Sequence, residues 1–303
     1  MSAAIIKTEA SQKRRNFVSK FLIYFFLIVI TACMLLPFLW MLSSSLKLNK
    51  DVFGFPIQWI PKNPRWQNYV DIWTQIPLLT FVKNTVKITV VVTLLQLFTS
   101  SFAAYAFAKM QFKGKNALFL GYIATIAVPW QAYMVPQFMM MSSWHLNNTH
   151  LAIMCLQAFS AFGVFLMKPF MRRQAFSAVG VFLMTQLYEG VPTELCEAAR
   201  FDGLSEYGIW WHIMLPLSLP ALSTLTIFTF VNTWNDFLGP LIYLTKTELK
   251  TIQIGLRMFI TQYSAEYGLI MAASVVALIP VLIVFLSLQK YFVQGVASTG
   301  IKG

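Results

Sequence analysis

Carboxylates are scarce in this chain: 11 Asp and Glu in 303 residues, against 23 Lys and Arg. Charged residues of both signs make up 11%, where a soluble globular domain carries about 25%. That excludes an ordinary soluble fold. Histidine is as thin; His145, His150 and His212 are scattered, and no group of His, Cys, Asp and Glu converges within the apolar segments. The three cysteines, Cys33, Cys155 and Cys196, are odd in number and sit in or near apolar runs, so they specify neither a disulfide framework nor a metal site. No Gly-x4-Gly-Lys-Ser/Thr loop is present to cradle a nucleotide phosphate, and Gly114-Lys115 stands alone. No catalytic residue, metal or cofactor is expected.

What the chain has instead is long uncharged runs, at 21–46, 88–108, 116–144, 151–167, 213–235 and 267–289. A membrane-crossing helix needs about 20 mostly apolar residues, and all six runs meet or approach that length. A seventh run, 174–188, falls short. The expectation is an all-α integral membrane protein with six transmembrane helices at about 21–46, 85–108, 116–136, 149–167, 214–236 and 266–289. Residues 21–289 then form a single transmembrane domain between cytoplasmic tails at 1–20 and 290–303. The N-terminus mimics a signal peptide, and Ile30-Thr31-Ala32-Cys33 resembles a lipoprotein cleavage site. The apolar run nevertheless continues through Met34, Leu35, Leu36, Phe38 and Trp40, so an uncleaved first span is the better reading.

Orientation follows from the basic residues, which concentrate in cytoplasmic loops. The N-terminal tail carries Lys7, Lys13, Arg14, Arg15 and Lys20 against Glu9, and the short loop KMQFKGK carries Lys109, Lys113 and Lys115 with no acid. Both belong inside, and by parity so do the segment 191–216 and the C-terminal tail. The outer segment 47–87 is also basic, but it reads FPIQWIPKNPRWQNYVDIW, rich in Trp and Pro as an ordered interfacial segment would be. The net charge of +12 is explained by topology and contact with the lipid bilayer. No nucleic-acid partner is expected.

Four of the 11 carboxylates fall in one stretch, PTELCEAARFDGLSEYGIWWHIMLP, residues 192–216. Thr193 can cap a helix with Glu194 in its first turn, and Gly203 can end it in the left-handed conformation. Leu195, Ala198 and Ala199 fall on one face at helical spacing, and the small alanines permit close approach to another surface. Glu197 and Arg200 are i, i+3 neighbours. Ser205 can cap a second short helix, and Leu215-Pro216 leads into the next span. An ordinary solvated loop would explain the acids, but not Ala-Ala followed by Asp202-Gly203.

Glu197-Ala198-Ala199, Gly203, Ile213, Leu215 and Pro216 match the EAA loop of binding-protein-dependent ABC importers, whose pattern EAA-x3-G-x9-I-x-LP is met at every fixed position. TWNDFLGPLIYL, at 233–244, and YFVQGVASTGIKG, at 291–303, resemble segments of the carbohydrate-uptake branch of that family, in which the chain is similar to the smaller permease of maltose systems. The resemblance covers almost the whole chain. It implies a bacterial cytoplasmic-membrane subunit that is not itself an enzyme. Its partners would be a second permease subunit, two copies of a cytoplasmic ATPase and an extracytoplasmic binding protein, and its substrate a sugar or oligosaccharide. Within the family, glycerol-phosphate or another polyol-type solute stays open. The resemblance also implies that Glu197, Ala198, Ala199, Asp202, Gly203, Ile213, Leu215 and Pro216 couple the permease to the ATPase. The tail, with Gln294 and Gly295, is implied as a second ATPase contact.

Asp236, beside Asn235 near the end of the fifth span, is a candidate for the translocation path or the partner permease, because ionisable residues near membrane depth are functional candidates by default. A helix-end contact at the interface is the competing reading. Asn147-Asn148-Thr149 fits a glycosylation acceptor pattern and reads more simply as a turn. A secondary transporter would usually show internal repeats with broken helices. The repeat present here is different: residues 151–167 and 168–184 share 11 identities in 17 positions. We read 168–184 as a tandem duplication that, if helical, adds roughly 25 Å and rotates the downstream chain by about 100°. It is expected to misplace the docking segment unless a loop at Pro169 or Gly180 absorbs it, giving a transport-impaired or repaired variant.

Overall fold

In hydrocarbon a backbone without water satisfies its N–H and C=O groups as helix or closed barrel, and apolar runs without strand-like alternation choose the helix. The computed structural model describes residues 2–165, 193–260 and 265–297, with side chains at 19–165, 195–260 and 265–291. Every named element among them is helical. The repeat 168–184 lies outside the described residues. In chain order the principal helices are α1 (Ser2–Ser45), α2 (Asn68–Thr74), α3 (Leu78–Lys109), α4 (Lys115–Ala124), α5 (Met134–Ser143), α6 (His150–Gln157), α7 (Thr193–Phe201), α8 (Glu206–Ile209), α9 (Leu219–Trp234), α10 (Leu238–Tyr243), α11 (Ile252–Met258) and α12 (Tyr267–Ala297).

Among the described residues three helices are long and apolar enough to cross a membrane: α1 over Ser19–Ser45, α3, and α12 over Tyr267–Tyr291. The pair Glu206–Leu217 and Leu219–Trp234 reaches that length and apolarity only when taken together, and it turns through 81° at its break. Pro216 and Pro220 flank that break, and neither has an N–H to donate to the helical ladder. The third apolar run is interrupted. Between α4 and α5 the chain passes through two short 3-10 turns, with Val128 extended ahead of Pro129, as the residue before proline prefers. In the fourth run, α6 is followed by a helical turn at 161–165.

The chain divides into two compact units, Met1–Ile72 with Phe259–Val276, and Trp73–Met258 with Ala277–Gly303. In the first, α1 is exposed on all sides from Lys20 to Leu39. An all-apolar, uncovered helix of that length suits hydrocarbon. Its C-terminal carbonyls, which have no intrahelical donor, are met by the buried Asn68 amide, donating to Ser45 O at 2.8 Å and Lys47 O at 2.9 Å. The Tyr267 N–H at the start of α12 donates to Asn49 Oδ1 at 2.8 Å. Side-chain caps thus help tie down the segment after α1, in which Val52 is also fully buried.

In the second unit α3 is the scaffold. Its small and hydroxyl residues Ser100, Ser101 and Ala104 are buried, and close approach of backbones is what drives helix association in lipid. At Gly163 a Cβ would lie 2.3 Å from Ser100 Oγ, so only glycine lets the 161–165 turn sit this close to α3. Thr99 Oγ1 donates to Ala158 O at 2.8 Å, and Thr229 Oγ1 on α9 donates to Gln96 Oε1 at 2.9 Å. Ahead of α6, Asn148 (φ 57°) accepts at Oδ1 from Thr245 N and Oγ1 and from Lys246 N. Thr149 accepts from Ala152 N to cap α6. The glycosylation-like triplet is a structural turn.

Candidate functional site

The EAA segment forms two short helices, the first ended by Gly203 and the second started by Ser205, while the Thr193 side chain lies outside the described residues. α7 closes on Gly203 in the left-handed conformation (φ +83°), with Gly203 N bonded to Arg200 O and Leu204 N to Ala199 O, both at 3.0 Å. Ser205 Oγ accepts from Gly208 N at 3.2 Å and starts α8. A turn of π-helix follows at Trp210–Met214, then Pro216 at the start of a three-residue helix. Cys196 and Ala199 are buried in a cluster with Ala104 and Tyr105 of α3 and with Ile209, Trp210 and Met214; Ile213 and Leu215 pack on its edge. Trp210 is wholly buried against Phe98 and Phe102 of α3, each ring centroid 5.4 Å away at 88°.

Two details differ from the sequence reading. Leu195, Ala198 and Ala199 are not buried together: Ala199 turns inward with Cys196, while Leu195 and Ala198 are exposed with Glu197, Asp202 and Gly203. Nor does Arg200 pair with Glu197. The turn at Gly203 folds α8 back over the end of α7, so Arg200 Nε donates to Glu206 Oε1 at 2.7 Å and Nη2 to Oε2 at 3.3 Å. The Tyr105 hydroxyl donates to the same Glu206 Oε2. The hydrogen bonds from Arg200, and next to them that from Tyr105, hold the Glu206 carboxyl below the usual carboxylate range despite partial burial. Burial raises the Cys196 thiol, which leaves it an inert packing group. Sequence reading also missed Phe201, 92% exposed on the outer face of α7. A large apolar side chain left bare beside Asp202-Gly203 was its available signal.

Asp236 and Asn235 part company. Asn235 is exposed and accepts from Gln253 Nε2 at 3.1 Å. Asp236 lines a cavity of about 460 Å³ within the second unit. Its Oδ1 accepts from Gly239 N at 3.1 Å and its Oδ2 from Gln157 Nε2 at 2.7 Å. A chain of amides and hydroxyls continues from there. Gln157 Oε1 accepts from Thr233 Oγ1 at 3.2 Å, and Gln157 O accepts from Gln96 Nε2 at 2.7 Å. Asn232 joins these polar groups, and the aromatic walls are Trp130, Tyr133, Phe162, Phe228 and Tyr243. The buried Tyr243 hydroxyl has no hydrogen-bond partner. Among the described residues no Lys, Arg or His lines the cavity. Gln294 and Gly295 lie in the last turns of α12, beyond the described side chains. Among the described residues no group of three or more His, Cys, Asp or Glu is placed to hold a metal.

Such a cavity can host a small uncharged solute that offers both hydroxyls and apolar faces, and α7 presents a compact face at the end of the same unit. The family described as binding-protein-dependent transport system inner membrane component matches residues 10–298. The chain is 33% identical over 270 residues to the arabinooligosaccharides transport system permease protein AraQ of Halalkalibacterium halodurans, covering 88% of this chain and 91% of that one. It is 32% identical over 265 residues to the lactose transport system permease protein LacG of Rhizobium radiobacter, covering 86% and 88%. A solved chain of a bacterial ABC transporter involved in the import of the acidic polysaccharide alginate superposes with a TM-score of 0.75 at 23% identity, over 92% of this chain and 98% of that one.

Proposed function

Since the chain belongs to the family of binding-protein-dependent transport system inner membrane components, we propose that it forms half of the translocation path of an ATP-driven importer for a neutral sugar or oligosaccharide. A second permease subunit supplies the other half, two copies of a cytoplasmic ATPase supply the energy, and an extracytoplasmic binding protein delivers the solute. The chain carries no chemistry of its own. Both termini lie on the cytoplasmic side of a bacterial inner membrane. α7 docks on the ATPase through Glu197, Ala198 and Phe201, with Asp202-Gly203 ending the docking helix and Ile213, Leu215 and Pro216 joining it to the fifth span. The tail around Gln294 and Gly295 adds a second contact.

The solute class rests on the composition of the cavity. Aromatic faces suit the C–H faces of a sugar ring, and Gln96, Gln157, Thr229, Thr233 and Asn232 suit its hydroxyls. The relatives' names, arabinooligosaccharides and lactose, are of uncharged saccharides. Among the described lining residues Asp236 is the one charged group and has no cation beside it, so a glycerol-phosphate would meet a like charge in a low-dielectric wall. The experiment is ATP-driven uptake by the reconstituted complex, comparing a neutral oligosaccharide with glycerol 3-phosphate. Uptake is expected for the oligosaccharide alone. Gln157→Ala, which strips hydrogen bonds from Asp236 and Thr233, should lower it about tenfold or more, the order expected when buried polar groups lose their partners. Comparable uptake of glycerol phosphate contradicts the neutral-solute reading.

A further inference from the structure

Two routes lead from the docking helix α7 to the membrane interior. The covalent route runs through the π-helical turn Trp210–Met214, past Pro216, and round the 81° break before α9; the buried Ser218 hydroxyl at that break has no partner. Breaks of this kind bend easily. The second route is non-covalent and short. Glu206 is held on one side by the two-pronged guanidinium of Arg200 and on the other by the hydroxyl of Tyr105, which is 1% exposed on α3. Beside it Trp210 is wedged edge-on against Phe98 and Phe102 of the same helix. α3 is unbroken over 32 residues. Nine residues from Tyr105, about 14 Å along that helix, Gln96 lines the solute cavity and donates to Gln157 O.

We infer that the Tyr105–Glu206–Arg200 node makes α3 the lever that carries docking-helix motion to the cavity, where Gln96 moves the Gln157–Asp236 wall. This rests on the proposed docking of α7 on an ATPase. An ion pair as solvent-reached as Arg200–Glu206 is worth only about 0–1 kcal/mol, so stability alone gives it little to do. Orientation is its work: a planar fork and a buried phenol fix one carboxylate from two elements at once. Tyr105, Glu206 and Arg200 are positioning residues; none of them lines the cavity.

The test is hydrogen exchange by mass spectrometry on the assembled complex, with and without a non-hydrolysable ATP analogue, in wild type, Tyr105→Phe and Glu206→Gln. A merely structural role raises exchange equally in both nucleotide states; a lever role removes the difference between them. In wild type, both α7 and the cytoplasmic end of α3 (residues 100–109) should respond to nucleotide. In Tyr105→Phe the α7 response should persist while that of α3 falls about threefold or more. Glu206→Gln, which retains an acceptor for Tyr105, should fall between, and carries the same criterion should Tyr105→Phe not assemble. An α3 response as large in the variants as in wild type overturns the lever and leaves docking standing. No nucleotide response at α7 in wild type overturns the docking reading and the lever together.

Discussion

Phe201→Ala is expected to weaken association of the permease with its ATPase by about 10- to 100-fold. The side chain is 92% exposed at the end of α7, so its removal leaves no cavity in this chain and costs the fold little. Burying a phenylalanine against a partner contributes roughly 1.5–3 kcal/mol, and each 1.4 kcal/mol is about a factor of ten in affinity. Its position sharpens the expectation. The Schellman turn at Gly203 fixes the end of α7, and Cys196 and Ala199 lock the opposite face into α3, so the side chain is presented with little freedom left to lose on docking. Titrating the solubilised permease with ATPase measures this directly. Unchanged affinity, with only the partition of the chain into lipid altered, would place Phe201 in the headgroup layer instead.

Deletion of 168–184 is expected to raise binding-protein-stimulated ATP hydrolysis several-fold. The duplicated word, QAFSA followed by GVFLM, stands between the fourth span and the docking helix, and a helical insertion of that length shifts and rotates the chain beyond it. α7 itself is well seated, with Cys196 0% and Ala199 6% exposed. The packing of the described part of α7 is therefore complete, and under the proposed docking the repeat would alter only how α7 is tethered, which is why impairment rather than loss is expected. Steady-state hydrolysis with and without the binding protein, in the full chain and the deletion, decides it. Equal stimulation makes the repeat a tolerated insertion.

Runs without charge were enough to place α1, α3 and α12, because a span must exclude charge along its whole length. The same criterion was blind to the interruption at Val128-Pro129, since a broken helix and a straight one have the same composition. Capping chemistry foretold the two short helices around Gly203, because Ser205 and the glycine act within a few residues. The pairing of Arg200 with Glu206 was not legible, because Glu206 comes near only after the chain reverses at Gly203. The cavity was legible only at Asp236. Gln96 and Gln157 are uncharged, lie 61 residues apart on different helices, and nothing local ties them together. An amide inside an apolar run needs an explanation, and that was the signal available.

The proposed coupling of permease to ATPase depends on the turn at Gly203. At φ +83°, with nothing within 4 Å of its missing Cβ, Gly203 is required by backbone conformation alone, and a β-branched residue there costs about 1–3 kcal/mol of strain. The most direct measurement is binding-protein-stimulated ATP hydrolysis by the reconstituted complex carrying Gly203→Val. Loss of stimulation with the complex still assembled is the predicted result. Full stimulation in Gly203→Val would contradict it.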